Sequence, residues 1–380
     1  MPDDELKVLS FKPIFLTVDG VGPFQDQPYE VDFTDEQDIS CNLFLFMSEN
    51  GRGKTTLLDL MARLMNLLGE KSPDLFGHED LDTGRGRAQW DVCVTLNRQG
   101  RDETIILSIL AGNLSKNAVL KIWQDRDLKK YTASSWHRTG FRRHVKGFLE
   151  TVGAEDDLVK ELMAVIRGST GEPPQDFAST STSLPALLYF TSYRDIPLIK
   201  SARRTISEPE QWGYQPVYFF NAQGKQWSYS LDNLFVWLKW LDDGRFEKAV
   251  EFVNERVFKG STKFIKSIRR QPPEVVVANG DQTHRLDRLS SGEKNLTEMF
   301  FQIGTHMTRC TIVLIDEANV HLHPRWQHRL MKLFRMLVKN YPGITIIAAS
   351  HSLAMLEAFG FEVPEDGIRK GGEIIKEGLE

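Results

Sequence analysis

An α/β fold with a mixed-sheet core, an antiparallel β subdomain and a helical lobe is predicted by three patterns. The short apolar run Asn42–Met47 passes through a glycine-rich turn straight into Gly53–Leu68, whose leucines and methionines cover most of a helix circumference. Further on, the β-branched runs Thr311–Ile315 and Ile344–Ala349 flank a helical pattern at Pro324–Asn340 with proline in its first turn, the alternation expected of parallel strands buried beneath helices. Gln89–Leu96 and Thr104–Leu110 alternate polar and apolar residues and read as an antiparallel hairpin joined by Asn97–Glu103, on the edge of the core.

The remaining elements fall around these. Phe11–Val18 is an apolar strand, Gly20–Pro23 a turn, and the stretch to Phe33 a further strand. Phe141–Arg167 reads as helical, and Gly168–Leu184, rich in Ser, Thr, Gly and Pro, as a mobile loop. Leu231–Val257 is an amphipathic helical region, and Glu274–Ala278 with Gln282–Leu286 a hairpin around the Asn279-Gly280 turn. The chain divides on this reading into an N-terminal lobe over 1–135, a helical insertion region over 136–285 and a C-terminal lobe over 286–380. Internal repeats are not evident, and no heptad run is long enough for a coiled-coil arm.

Bulk composition narrows the function classes. Of 380 residues, 41% are hydrophobic and 26% charged, which suits a globular protein and excludes disorder throughout. The formal net charge of −5 excludes a protein that coats nucleic acid through its overall field, while leaving room for a local basic face. Cys41, Cys93 and Cys310 are far apart and form no C-x-x-C pair, so no disulfide framework or zinc ribbon is expected, and a reducing cytoplasm fits. The first residues hold no apolar signal core, and no run approaches the roughly 20 apolar residues of a membrane span.

The turn after Asn42–Met47 carries the chemistry. Ser48-Glu49-Asn50-Gly51-Arg52-Gly53-Lys54-Thr55-Thr56 matches G-x-x-x-x-G-K-[ST] except that Ser48 stands at the first glycine. Backbone N–H groups must turn inward around a β-phosphate, which needs small residues or positive φ, and Gly51 and Gly53 supply that. Lys54 adds a charge for the β- and γ-phosphates, Thr55 offers a hydroxyl to Mg²⁺, and the following helix aims its positive end at the same place. A plain helix-capping turn would not need this residue pattern.

Three further features accompany it. Asp316 and Glu317 end the strand Thr311–Ile315, where open α/β sheets place ligands. We assign Asp316 to the metal and Glu317 to the attacking water; the alternative is a pair of solvated acids. His351 follows Ile344–Ala349, and strand order can bring it to the same edge, where it would donate to a γ-phosphate. Leu289-Ser290-Ser291-Gly292-Glu293-Lys294-Asn295 opens another helix N-terminus prepared for an anion. His321-Leu322-His323 admits a metal-site reading, but its spacing lacks a third ligand in a fixed frame.

Taken together, S-E-N-G-R-G-K-T-T, L-S-S-G-E-K, I-V-L-I-D-E-A-N-V-H-L-H-P and I-I-A-A-S-H-S resemble the motifs of an ABC-type P-loop NTPase, a member of the wider AAA family. More narrowly, D-E-x-x-x-H-L-H-P followed by a strand and S-H-S is similar to the OLD-like and SMC/RecF-like heads, often found in anti-phage defence. The motifs cover mainly residues 6–68 and 285–353. The resemblance implies ATP and Mg²⁺ as ligands and a homodimer, or a higher even-numbered oligomer, in which Ser290, Ser291 and Gly292 of one subunit reach the γ-phosphate held by Asn50–Thr56 of another. It implies that Lys54, Glu317 and His351 are catalytic, that Thr55 and Asp316 hold the metal, and that His321–His323 is an interface turn. Gln89 is a candidate for the metal-sensing glutamine of such proteins.

Three functions are compatible with this pattern. The first is an ATPase whose dimer closes on ATP and opens after hydrolysis, controlling a separate effector protein, a nuclease or toxin, in anti-phage defence. The second is a RecF- or SMC-like ATPase that binds DNA in repair or maintenance, through Arg138, Arg142, Arg143 and Lys146, or through Lys259, Lys263, Lys266, Arg269 and Arg270. The third is a nucleotide-gated scaffold without productive turnover, against which Glu317 speaks. Only a short tail follows His351, so no nuclease domain of the OLD kind is expected within this chain.

Overall fold

In the computed structural model the described residues are 6–70, 81, 84–114, 119–143, 149–194, 196, 204–221, 226–361 and 365–375. In chain order the strands and helices are β1 (Lys7–Asp19), β2 (Tyr29–Asp32), β3 (Leu43–Met47), α1 (Lys54–Asn66), β4 (Arg87–Arg98), β5 (Arg101–Gly112), α2 (Asp125–Lys130), β6 (Ser135–Arg143), β7 (Leu149–Val152) and α3 (Asp157–Gly168). They continue with β8 (Pro185–Phe190), β9 (Val217–Phe220), α4 (Leu231–Leu241), α5 (Arg245–Val253), β10 (Lys263–Arg270), β11 (Pro273–Asn279), β12 (Gln282–Arg285), α6 (Ser291–His306), β13 (Cys310–Ile315), α7 (Pro324–Asn340), β14 (Thr345–Ser350), α8 (Leu353–Phe359) and β15 (Lys370–Ile374).

The P-loop sheet has six strands in the order β15-β3-β14-β13-β8-β9, and every neighbouring pair is parallel. Its inner strands β3, β14, β13 and β8 are buried on both faces, which is why they read as continuous apolar runs. Alternate residues serve different layers. Phe44, Phe46, Ile312, Leu314 and Ile347 pack with α1 and the second sheet, while Leu43, Leu45, Val313, Ile315 and Ile346 pack with α4–α7. That second sheet, β2-β1-β4-β5-β6-β7, is the mixed one: β5 and β6 run parallel and its other pairs antiparallel. A three-stranded sheet, β10-β11-β12, stands beside the helical layer.

Several expectations need correcting. The hairpin β4–β5 lies in the middle of its sheet, flanked by β1 and β6, not on an edge. The stretch Phe141–Arg167 is helical only from Asp157; before it, β6 pairs with β5, and Gly140, at φ 126, brings its backbone so close to Leu110 that a Cβ would meet the carbonyl oxygen. Long-range pairing here overrides local helix propensity. Residues 136–285, read as a helical insertion, also supply β8 and β9 to the P-loop sheet. Segment 144–148, with Lys146, lies outside the described residues. Among the described residues no helix is long and apolar enough to cross a membrane.

Candidate nucleotide site

Parallel strands bring their carboxyl ends to one edge, and here the order places β14 directly between β3 and β13. The loop after β3, His351 after β14, and Asp316 and Glu317 after β13 therefore meet along that edge. At the phosphate loop, Gly51 and Gly53 adopt φ of 82° and 95°, and Gly53 is the N-cap of α1. A Cβ on Gly53 would lie 2.5 Å from the Phe24 ring, and one on Gly22 would lie 3.0 Å from Thr56, so the β1–β2 turn is seated against the start of α1. Lys54 is buried and its Nζ donates to Ser48 O at 2.8 Å, Ser48 Oγ at 3.1 Å and Glu49 O at 2.8 Å. Burial lowers its pKa, and the charges of Glu317 and Asp316 pull it back up.

Thr55 Oγ1 donates to Asp316 Oδ2 at 2.9 Å. Asp316 is fully buried; burial raises its carboxyl, the Thr55 bond opposes this, and the neighbouring Glu317 charge adds to the rise. Its other oxygen, Oδ1, has no hydrogen-bond partner among the described residues. A buried carboxylate oxygen without a partner, next to a threonine hydroxyl, suits a divalent cation. Asp316 and Thr55 would hold Mg²⁺, which would there neutralise phosphate charge.

Glu317 has φ 46°, which is rare for a residue with a side chain. Its Oε2 lies 2.7 Å from His351 Nδ1, at ion-pair distance without hydrogen-bond alignment. His351 Nε2 is 3.4 Å from Asn319 Nδ2, and Asn319 Oδ1 accepts from Ser350 Oγ at 2.7 Å.

The signature opens α6, with Ser290 and Ser291 facing solvent. Ser290 caps α6 and forms a reciprocal box with Glu293, whose carboxylate also accepts from Lys263 Nζ at 2.9 Å through each oxygen. Together the Lys263 and Ser290 contacts keep the Glu293 carboxyl low against its burial. Gly292 packs on the H-L-H turn: a Cβ there would be 3.0 Å from His321 O and 3.1 Å from Leu322. His323 is the N-cap of α7. No group of three or more His, Cys, Asp or Glu able to hold a metal occurs among the described residues. Ser290 and Ser291 are exposed.

Gln89 is not free to sense a metal. It is buried within β4, donating to Asp91 and to Lys121 O while its Oε1 accepts the Leu120 and Lys121 amides. At the nucleotide edge the loop after β8, next to Asp316, carries Thr191, Ser192, Tyr193 and Arg194 instead. Arg194 escaped the sequence reading; an arginine just past a buried strand was the available signal.

Residues 276–357 match the family described as "AAA domain, putative AbiEii toxin, Type IV TA system". The "Retron Ec83 probable ATPase" of Escherichia coli is 29% identical over 96 residues, 22% of this chain and 17% of that protein. The "Retron Vc95 probable ATPase" of Vibrio cholerae is 31% identical over 93 residues, again 22% and 17%. UvrABC system protein A of Clostridium perfringens is 33% identical over 94 residues, 24% of this chain and 10% of that protein. The chain thus spans under a fifth of the length of these curated relatives. Solved structures similar in path include an SmcHead bound to the C-winged helix domain of ScpA (TM-score 0.43, 12% identity, 94% of this chain and 96% of that one). The SMC head domain from Thermotoga maritima gives a TM-score of 0.37 at 13% identity over 91% and 92%.

Proposed function

We propose, for this P-loop ATPase of the SMC/RecF-like group, that two copies close around ATP and hydrolyse it at sites shared between them, and that this cycle controls a separate effector protein in anti-phage defence. One observation carries the proposal: Lys54, Thr55, Asp316, Glu317 and His351 converge on one sheet edge, whereas Ser290 and Ser291 stand exposed at the start of α6. An exposed signature is open to a phosphate held by a second copy.

In the closed site, backbone amides of Asn50–Thr56 and the Lys54 ammonium bind the β- and γ-phosphates. Thr55 and Asp316 hold Mg²⁺. Glu317 accepts the proton of the attacking water, and His351 donates to the γ-phosphate. Because γ-phosphate contacts from the second copy exist only in the closed form, ATP favours closure and its hydrolysis releases it. The retron names of two relatives support the defence setting.

The DNA-binding reading finds less support, since Arg142 pairs with Glu150, Lys263 with Glu293 and Arg269 with Glu274. Glu317→Gln tests the main proposal: turnover should fall by about 10²–10⁴ while ATP binding persists and light scattering detects an ATP-trapped dimer. Turnover at the wild-type rate would remove Glu317 from its role, and a variant that stays monomeric with ATP would remove the shared site. Copurification of the product of a neighbouring gene tests the effector.

A further inference from the structure

We propose that Arg194 is a positioning residue for hydrolysis, holding the turn that aims Glu317; this rests on the reading of Glu317 as the acceptor for the attacking water. β8 and β13 are paired neighbours, and Arg194 follows the end of β8 by four residues, tucked beneath the end of β13. It is 5% exposed. Its Nη1 donates to Phe190 O at 3.1 Å and Asp316 O at 3.0 Å, and its Nη2 donates to Glu317 O at 3.2 Å. One planar fork thus fixes two successive carbonyls, those on either side of the Glu317 Cα. From the opposite side, the Ala318 amide donates to Ala349 O of β14 at 2.9 Å. Clamped at both ends, Glu317 is kept in its left-handed conformation at φ 46°, and this sets the direction in which its carboxylate leaves the chain.

A buried guanidinium is a costly way merely to end a strand. Burial pulls Arg194 down to about 10, and Glu298 on α6 is the leading charge that opposes the shift, ahead of Asp316. Lysine would keep the charge but lacks the flat, divergent donors that reach two carbonyls at once. The arginine is therefore suited to orienting the peptide groups around Glu317, while the phosphate contacts of Lys54 and Thr55 lie elsewhere.

The test compares Arg194→Lys, Arg194→Ala and Glu317→Gln with the wild type by steady-state ATP hydrolysis and by ATP calorimetry. Arg194→Lys should lose about 100-fold in kcat, the scale of an ångström of misplacement, with ATP affinity held within about threefold. Millimolar guanidinium should restore part of the turnover of Arg194→Ala, and ammonium at the same concentration should not. A kcat for Arg194→Lys within about twofold of wild type overturns the proposal, as does a joint fall of kcat and ATP affinity with no guanidinium rescue. Should Arg194→Ala fail to fold, the split between kcat and affinity in Arg194→Lys decides alone. Wild-type turnover in Glu317→Gln would sink the reading of the base itself, whereas an inactive Glu317→Gln beside a fully active Arg194→Lys sinks the positioning role only.

Discussion

Alanine at Gly53 and at Gly51 should have unequal effects, and the difference measures how tightly the phosphate loop is seated. Both glycines have positive φ, 95° and 82°, so each alanine carries a left-handed backbone penalty of about 1–2 kcal/mol. Their surroundings differ. Nothing lies within 4 Å of a Cβ on Gly51, whereas one on Gly53 would be 2.5 Å from Phe24 and 2.7 Å from Pro23. Phe24 is itself buried and stacked on Tyr29 with ring centroids 4.6 Å apart, so it cannot step aside without breaking that contact. Overpacking of this kind adds about 1–3 kcal/mol. Gly53→Ala should therefore cost about 2–5 kcal/mol in all, and Gly51→Ala about 1–2. Read through ATP affinity by calorimetry, the excess at Gly53 corresponds to a further fall of about 5- to 150-fold if the whole penalty is borne by the phosphate-binding form. Urea unfolding of the same proteins separates loss of binding from loss of stability. Equal effects for the two alanines would refute the steric argument, and wild-type affinity for Gly53→Ala would refute the assignment of this loop to phosphate.

Three further outcomes follow from buried charges. The Asp91 carboxyl, wholly buried, is pushed up to about 6 by that burial, against bonds from Ser108 and Gln89. Because its folded pKa exceeds its unfolded one near 3.8, it favours folding fully below pH 4 and loses that contribution as pH rises through 6; Asp91→Asn should remove about 3 kcal/mol of pH-dependent swing, and an unchanged slope in urea titrations from pH 4 to 7 would count against this. Glu274, buried, takes Arg204 at 2.7 Å, Arg269 at 2.6 Å and Arg285 at 3.5 Å. Glu274→Gln should cost about 3–5 kcal/mol by leaving buried guanidinium unbalanced, and an unmoved urea midpoint would contradict it. Lys263→Met should loosen the cap of α6 by about 1 kcal/mol and weaken the ATP-trapped dimer a few-fold in light scattering, while ATP binding is kept; equal dimer yields would separate Lys263 from the signature.

The parts of the fold legible in the sequence were those with local signals. A β-branched run ending in two acids, a glycine-rich turn before an apolar helix, and a hairpin at Asn279-Gly280 each declare themselves within about ten residues. β8 and β9 do not. Their sequences, PALLYF and VYFF, are short apolar runs whose strand state depends on docking, β8 beside β13, over a hundred residues later, and β9 beside β8. β6 was hidden for a similar reason, since its pairing with β5 outweighs a helical-looking composition. That Lys54, Thr55, Asp316 and Glu317 would lie together could be expected from the sequence, because a phosphate-loop pattern calls for such residue types. The place of His351 beside Glu317 needed the strand order, and Arg194 needed coordinates, because an arginine that bonds only to carbonyl oxygens leaves no motif.

The seating of the β1–β2 turn against α1 has a mechanical counterpart elsewhere on the same strand. There Lys12 on β1 donates to the carbonyls of Pro342, Gly343 and Ile344, and Val8 is tied to Ser183. The mixed sheet is thus bolted to the P-loop layer at two places, by glycine-tight packing at the turn after β1 and by a half-buried ammonium within β1. Such a pair of sheets should turn as one stiff plate, with little give to absorb motion between its halves. Under the proposed cycle, motion would then fall to the opposite layer, the one that contains α6.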